Sequence, residues 1–198
     1  MFILGLTGSL AMGKTTAAGM FAELNVPVFY SDDVIHEILK TSLRAKKSIR
    51  DIFPGVFENG EVSRPKLGKI VFSNPVKLRQ LEGILHPPYM AKLSSFIVAH
   101  RKKKARIIVL DVPLLFETGV DTICDAVAVV TAKPQIQKKR ALGRAGMTRE
   151  RLDIILARQT PNQEKRERAD YVIFTDGPKE ETRKKITAIM NDIKTRIK

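Results

Sequence analysis

The chain has 198 residues, which suits one domain with inserted subdomains and excludes two large independent domains, since domains commonly span roughly 100–200 residues. Its content of 43% hydrophobic and 28% charged residues is typical of a packed globular protein and excludes a disordered or fibrous one. The net charge of +14 favours anionic partners, namely nucleotides, nucleic acid or an acidic membrane surface.

The sequence gives no indication of secretion or of a membrane span. The apolar N-terminus lacks a basic flank and runs directly into glycines, so it predicts a strand rather than a signal peptide. No apolar run approaches the roughly 20 residues of a membrane helix, and one cysteine, Cys124, cannot form an internal disulfide. We therefore expect a cytoplasmic protein without a membrane partner, and a monomer or weak homo-oligomer.

Short apolar runs alternate with helical patterns along the chain. Such continuous runs are typical of strands that are buried on both faces of a parallel sheet, and the segments between them repeat apolar residues at helical spacing. The alternation predicts an α/β fold with a mainly parallel sheet. The predicted strands are residues 2–7, 26–30, 106–110, 126–131 and 171–174.

A glycine-containing loop follows the first predicted strand. Residues 8–15 read Gly-Ser-Leu-Ala-Met-Gly-Lys-Thr and satisfy the pattern G-x-x-x-x-G-K-[ST]. In such a phosphate loop, backbone N–H groups and the N-terminus of the next helix converge on phosphate oxygens. A chance match in a turn is the alternative, but the position between a buried strand and an amphipathic helix favours nucleotide binding. The predicted nucleotide-binding residues are Gly8, Ala11, Met12, Gly13, Lys14, Thr15 and Thr16.

Two aspartates follow the second predicted strand. Asp32 and Asp33 come at the carboxyl edge of the sheet, where open α/β sheets bind their ligands. Either is a candidate catalytic carboxylate, and the alternative for each is a helix N-cap for residues 34–39. The following stretch, up to residue 105, is mostly helical and longer than a simple crossover needs, with interruptions at 53–55 and 58–61. We therefore predict a helical substrate subdomain over about 32–105.

Metal and phosphate ligands are predicted after the first and third strands. Asp111 ends an apolar strand, which is the arrangement that places a carboxylate beside a phosphate-bound Mg²⁺. In the phosphate loop, Lys14 is suited to the β- and γ-phosphates, and the Thr15 hydroxyl is suited to the same Mg²⁺.

The segment from Lys133 to Arg168 is strongly basic. It holds eleven basic and four acidic residues, half of the net charge of the chain. Arg140 and Arg144 are four residues apart, which predicts that they share one helical face, and guanidinium groups suit the charge of a transferring phosphoryl group. A solvated helix face is the alternative. Helix starts are predicted at Asn74-Pro75 and after Thr148.

With these residues assembled, the chain resembles the dephospho-CoA kinase family over nearly its whole length. The phosphate loop is shared with many families, whereas the His-Pro pair and the segment 111–117 are far more specific. The matching stretches are the phosphate loop, Tyr30-Ser31-Asp32, Arg64-Pro65-Lys66-Leu67, residues 81–87 ending in His86-Pro87, residues 111–117 (Asp-Val-Pro-Leu-Leu-Phe-Glu), and Ala169-Asp170-Tyr171-Val172-Ile173.

The resemblance implies a P-loop kinase fold with a five-stranded parallel sheet, a nucleotide-binding core over 1–31, 106–140 and 169–198, and a lid over 141–168. It implies transfer of the γ-phosphoryl group of ATP, with Mg²⁺, to the ribose 3′-hydroxyl of dephospho-CoA. It also implies that Asp32 is the base, that Arg140 and Arg144 are lid arginines, and that His86 faces or fixes the CoA pocket; Gln159 and Lys165 match later lid positions. Leu114, at the sheet edge, is a candidate substrate contact or a core residue.

The chain departs from the family pattern at a few positions. Ser9 and Ala11 stand where the family loop is richer in glycine, and Tyr30 stands where the family has the first aspartate of Asp-Ala-Asp. Another small-molecule P-loop kinase, acting on a nucleoside or its monophosphate, is the near alternative. A nucleic-acid-dependent ATPase is disfavoured because no basic stripe is interleaved with aromatic residues, so we expect small-molecule substrates and no nucleic-acid partner.

Overall fold

The computed structural model describes residues 1–197, and the chain forms two compact units. The first, here called the sheet unit, comprises Met1–Tyr30 and the chain from His100 onward. The second, the helical unit, comprises Ser31–Ala99.

A five-stranded parallel sheet forms the centre of the sheet unit. Its strand order is β2-β5-β1-β6-β7, and every neighbouring pair is parallel. The first strand lies in the middle, where Leu4 pairs with Val109 on one side and with Ala126 on the other. The strands are β1 (Phe2–Thr7), β2 (Val28–Tyr30), β5 (Ile107–Asp111), β6 (Ala126–Thr131) and β7 (Tyr171–Phe174).

Helices cover the sheet and provide its core. Ala17 and Phe21 of α1 are fully buried, as are Ile186 and Ile193 of α9, and they belong to one cluster with the central strands. Burying a side chain of the size of Ile or Phe contributes about 1.5–3 kcal/mol. The helices of this unit are α1 (Lys14–Glu23), α6 (Pro134–Leu142), α7 (Arg149–Leu156), α8 (Asn162–Glu167) and α9 (Lys179–Arg196), with a 3₁₀ turn at Val120–Ile123.

The helical unit has a separate core. Ile49, Phe53 and Val56 are almost completely buried there, among side chains of all the helices of the unit. The elements of this unit are α2 (Ser31–Thr41), α3 (Leu43–Ile52), a 3₁₀ turn at Pro54–Val56, β3 (Phe57–Glu58), β4 (Glu61–Val62), α4 (Arg64–Phe72) and α5, which begins at Pro75 and ends at Lys102. Helix α5 contains Pro87 and Pro88 in its interior.

The predicted sheet is confirmed, with small shifts at its boundaries. Strand β2 begins two residues later than predicted, and β5 includes Asp111. Both predicted helix starts are also confirmed: the Asn74 side chain accepts from the N–H groups of Val76 and Lys77, and Thr148 accepts from the N–H of Arg151.

One element of the helical unit escaped the sequence interpretation. The predicted interruption at 58–61 is the turn of a small hairpin, in which Phe57 pairs with Val62. Asn59 and Gly60 have φ angles of 48° and 80°, the positive values that a tight hairpin turn requires at both central residues.

Among residues 1–197, no helix combines the length and the apolar character needed to cross a membrane.

Candidate active site

The phosphate loop leads from the end of β1 into α1. The helix begins at Lys14, and Gly13, at its N-cap, has φ 90° and no side chain that could accept from the first N–H groups. The unpaired N–H groups and the positive end of the helix dipole make this terminus suitable for an anion. Thr15 and Thr16 lie exposed on the first turn of the same helix.

Two glycines of the loop are packed so closely that an added side chain would meet a neighbour at 3.0 Å or less. A Cβ at Gly8 would lie 2.5 Å from the backbone oxygen of Val130, on strand β6. At Gly13, which has a positive φ, a Cβ would lie 3.0 Å from the Thr175 hydroxyl oxygen. Close packing against β6 and the end of β7 therefore explains the two glycines of the motif.

Ala11, the departure from a glycine-rich loop, is accommodated. Its φ is 62°, which costs an L-residue about 1–2 kcal/mol. Its side chain is 6% exposed and belongs to a small apolar cluster with Ala141 of α6 and Leu152 of α7. The Cβ therefore packs against neighbouring helices, and burial of the methyl group offsets part of the backbone strain.

The lysine of the motif forms an ion pair with the aspartate at the end of β5. Lys14 Nζ lies 2.6 Å from Asp111 Oδ1, and the two side chains are 12% and 7% exposed. Buried charges require such compensation. The structure thus brings together the predicted phosphate-binding cation and the predicted metal-binding carboxylate.

Arg140 reaches the phosphate loop through one intermediate residue. Its guanidinium donates to the Thr175 hydroxyl (2.9 Å) and to the Thr175 carbonyl (2.6 Å). The buried Thr175 hydroxyl in turn donates to the Met12 carbonyl (2.8 Å). Arg140, Thr175 and Met12 therefore form a continuous hydrogen-bonded chain beside Gly13.

Two glutamines hold the peptide groups of Leu10 in the same loop. The Leu10 N–H donates to Gln159 Oε1 (3.1 Å), and the Leu10 carbonyl accepts from Gln137 Nε2 (2.9 Å). Gln137 lies on α6, whereas Gln159 lies between α7 and α8. The C-terminal half of the segment predicted to be a lid, residues 141–168, therefore contacts the phosphate loop through Gln159.

A buried ion pair lies next to Gln159. Lys165 of α8 is fully buried, and its Nζ lies 3.0 Å from Glu117 Oε1. The same oxygen accepts from the Thr160 N–H at 2.7 Å. Burial alone would raise the pKa of Glu117, but the Lys165 ammonium and the Thr160 N–H outweigh it and lower that pKa.

Arg168 adds a second contact between the same two segments. It stacks over the Phe116 ring at 4.1 Å and lies 3.1 Å from Asp121. Arg168 and Lys165 thus connect α8 to the loop that follows β5, at two places.

Two other predicted site residues, Arg144 and Leu114, are exposed. Arg144 is exposed and lies beyond the end of α6 at Leu142. The prediction that it shares a helical face with Arg140 is therefore wrong, because the chain leaves the helix at Gly143. Leu114 is 37% exposed, so the alternative that it is a core residue is also wrong.

The remaining candidates belong to the helical unit. Asp32 and Asp33 are exposed on the first turn of α2, which begins at Ser31. Neither aspartate precedes the helix, so the N-cap alternative is wrong for both. His86 is exposed on α5, and its role stays a prediction.

Sequence reasoning missed Thr175 and Gln137 and did not pair Glu117 with Lys165. A signal existed for Thr175, since it follows an apolar strand at the carboxyl edge of the sheet, as Asp111 ends one. Gln137 carried no comparable signal, because its partner is a backbone group of a distant loop, whereas the family resemblance had marked Gln159.

Comparisons with known proteins extend over nearly the whole chain. A family model described as dephospho-CoA kinase matches residues 2–181. The dephospho-CoA kinase of Rhizobium meliloti (strain 1021) is 44% identical over 194 residues, which are 98% of this chain and 99% of that protein.

Two solved structures share the fold at similar coverage. A protein from Thermus thermophilus superposes with a TM-score of 0.82 at 27% identity, covering 96% of this chain and 97% of that one. The dephospho-CoA kinase from Campylobacter jejuni superposes with a TM-score of 0.69 at 25% identity, covering 96% of each chain. Since the family match includes both units, the phosphate loop and the loop after β5, the chain belongs to the dephospho-CoA kinase family.

Proposed function

We propose that this chain transfers the γ-phosphoryl group of ATP to the ribose 3′-hydroxyl of dephospho-CoA, giving coenzyme A and ADP. The observation that carries the proposal is the family match over residues 2–181, because it spans the helical unit as well as the phosphate loop. A phosphate loop alone is common to kinases and ATPases of many substrates.

In this proposal the phosphate loop binds the triphosphate of ATP. The N–H groups at the start of α1 and the Lys14 ammonium supply the positive charge for the β- and γ-phosphates. Gly8 and Gly13 let the loop backbone approach β6 and Thr175 closely. Arg140 stabilises the loop through Thr175 and, with Arg144, supplies charge for the transferring group.

The donors beside the loop fit a magnesium ion. Asp111 offers a carboxylate and Thr15 an exposed hydroxyl, which suits an ion that prefers oxygen ligands and keeps several waters. A bound magnesium ion would neutralise negative charge that develops on the phosphates during transfer. Thr15 on α1 and Asp111 on β5 would hold the ion, and Lys14 would bind the phosphates.

Asp32 is proposed as the base for the acceptor hydroxyl. As the 3′ oxygen bonds to the γ-phosphorus, the bond to the β–γ bridging oxygen breaks, and ADP leaves with that electron pair. The Asp32 carboxylate accepts the hydroxyl proton. Positioning and electrostatic stabilisation supply most of the rate in such reactions, and His86 and Leu114 are proposed substrate contacts.

The first test is an assay of ATP consumption with dephospho-CoA against a panel of nucleosides and nucleoside monophosphates. We expect stimulation by dephospho-CoA and formation of CoA. Stimulation by a nucleoside instead would show that the chain is a kinase for another acceptor.

The second test assigns roles to residues. Lys14→Ala should lower kcat by about 10²–10³-fold, because it removes charge directed at the phosphates.

Asp32→Asn should lower kcat by about 10²–10⁴-fold with little change in ATP affinity, because it removes only the base. The control Asp33→Asn should stay within about twofold of wild type. A larger loss for Asp33→Asn than for Asp32→Asn would move the base to Asp33.

A further inference from the structure

The C-terminal end of the predicted lid contacts two loops of the sheet unit. Gln159 accepts from the Leu10 N–H in the phosphate loop, and the next residue, Thr160, donates to Glu117 in the loop after β5. The segment 159–165 therefore bridges the loop that contains Lys14 and the loop that continues from Asp111.

The position of Leu10 affects the conformation of the phosphate loop because Leu10 precedes Ala11, whose backbone is left-handed. A non-glycine residue keeps this conformation only where its surroundings fix it. Both peptide groups of Leu10 are fixed by side chains from outside the loop, those of Gln137 and Gln159. Of these two, Gln137 lies within a regular helix, whereas Gln159 lies in the connection between α7 and α8.

A connection of this kind needs its own support, and the Glu117–Lys165 pair provides it. Lys165 is fully buried, and its ammonium has no hydrogen bond of good geometry among residues 1–197, so the nearby Glu117 carboxylate compensates its charge. Loss of that carboxylate would leave a buried cation uncompensated, which proteins tolerate poorly. The pair thereby fixes Glu117, and Glu117 fixes Thr160 and its neighbour Gln159.

We propose that Gln159 is a positioning residue for the phosphate loop and that the Glu117–Lys165 pair holds it in place. The inference rests on the proposed function only in that the loop binds ATP. It predicts that changes at Gln159 weaken ATP binding without changing the binding of the acceptor substrate. Gln159 has this effect although it lies 149 positions along the chain from Leu10.

The test compares Gln159→Met with Gln163→Met as the matched control. Gln163 is exposed on α8, and its amide donates only along the same helix, to Glu167. ATP binding is measured directly by titration calorimetry, and steady-state kinetics give KM for ATP and for dephospho-CoA. We expect Gln159→Met to raise the Kd and KM for ATP about fivefold to tenfold and to leave KM for dephospho-CoA within about twofold, because one hydrogen bond to the loop is lost. The control should match wild type.

The supporting pair is tested with the double variant Glu117→Gln/Lys165→Met, which removes both charges together and so avoids an uncompensated cation. We expect a rise of about threefold in the Kd for ATP from the double variant alone. When the same two changes are added to Gln159→Met, we expect little further change beyond that of Gln159→Met, because coupled residues are not additive. Full additivity would show that the pair does not act through Gln159.

An unchanged Kd for ATP in Gln159→Met would overturn the proposal. A KM for dephospho-CoA that rises in parallel with that for ATP would also overturn it, because a general loss of structure affects both substrates. Failure of the wild-type chain to phosphorylate dephospho-CoA would refute the proposed function but leave the ATP titration interpretable.

Discussion

Two neighbouring positions of the phosphate loop have positive φ angles, yet only one is glycine. Gly13 has φ 90° and faces the side chain of Thr175, whereas Ala11 has φ 62° and faces an apolar cluster that receives its methyl group. The residue type at each position is therefore set by what a Cβ would meet, in addition to backbone strain.

This difference predicts opposite outcomes for two small substitutions. Gly13→Ala adds strain of about 1–2 kcal/mol and a close contact with Thr175, so we expect a loss of at least about 2 kcal/mol in the free energy of unfolding. Ala11→Gly relieves similar strain but loses about 0.8 kcal/mol of methyl burial, so we expect a change within about 1 kcal/mol of zero. Urea denaturation of both variants measures this. Equal losses would contradict the argument.

Prediction from sequence succeeded at this scale where one residue carries its own signal. Lys14 and Asp111 were identified because a motif or a strand end marks them, and they lie 2.6 Å apart. Gln137 and Thr175 were missed because their roles depend on a distant backbone group, and no local pattern encodes such a contact. The interpretation of Arg144 failed because Gly143 follows the end of α6, one residue before it.

At the scale of elements, the short helix α7 depends for its stability on its N-cap residue, Thr148. It has eight residues, fewer than an isolated helix needs to be stable. Within residues 149–156, Leu152 is the only buried residue. The Thr148 hydroxyl accepts from the Arg151 N–H and satisfies one N-terminal donor.

We therefore expect Thr148→Ala to lower the free energy of unfolding by about 1 kcal/mol and to increase proteolysis between residues 144 and 158. The control is Thr187→Ala, since Thr187 is exposed inside α9, where alanine is the better helix former. Limited proteolysis and thermal unfolding of both variants test this. Equal protease sensitivity of the two would argue against a specific role of the cap.

Elements were predictable in proportion to their length and local signals. The long apolar strands and the capped helix starts were found, whereas β3 and β4, with two residues each, are too short to show alternation. The Asn59-Gly60 pair was the available signal for that hairpin, since it is typical of its turn. Residues 58–61 were recognised as an interruption of the helical pattern, but the pairing of Phe57 with Val62 across them was not predicted.

For the whole molecule, the net charge is unevenly divided. The sheet unit holds 24 basic and 14 acidic residues, a net charge of +10, and the helical unit holds 11 and 7, a net charge of +4. The unit that contains the phosphate loop thus has most of the excess, which raises the local concentration of anionic substrates.

This charge predicts a dependence on ionic strength. Between about 20 and 300 mM KCl, we expect KM for ATP to rise several-fold and kcat to change little, because added salt screens attraction at a distance. The variant Lys184→Glu/Lys185→Glu changes two exposed residues of α9, and we expect it to show a shallower dependence. Identical dependence in both proteins would assign the salt effect to the phosphate loop itself.

The central position of β1 determines when the phosphate loop can form during synthesis. Phe2–Thr7 emerges from the ribosome before its partners in β5 and β6, which follow more than a hundred residues later. The helical unit is one continuous stretch, Ser31–Ala99, so its core can form before the strands that pair with β1 have been synthesised. The loop itself is complete only after Gln159 and Thr175 have been made. Bound nucleotide can therefore stabilise the nascent chain only after Thr175 has been synthesised.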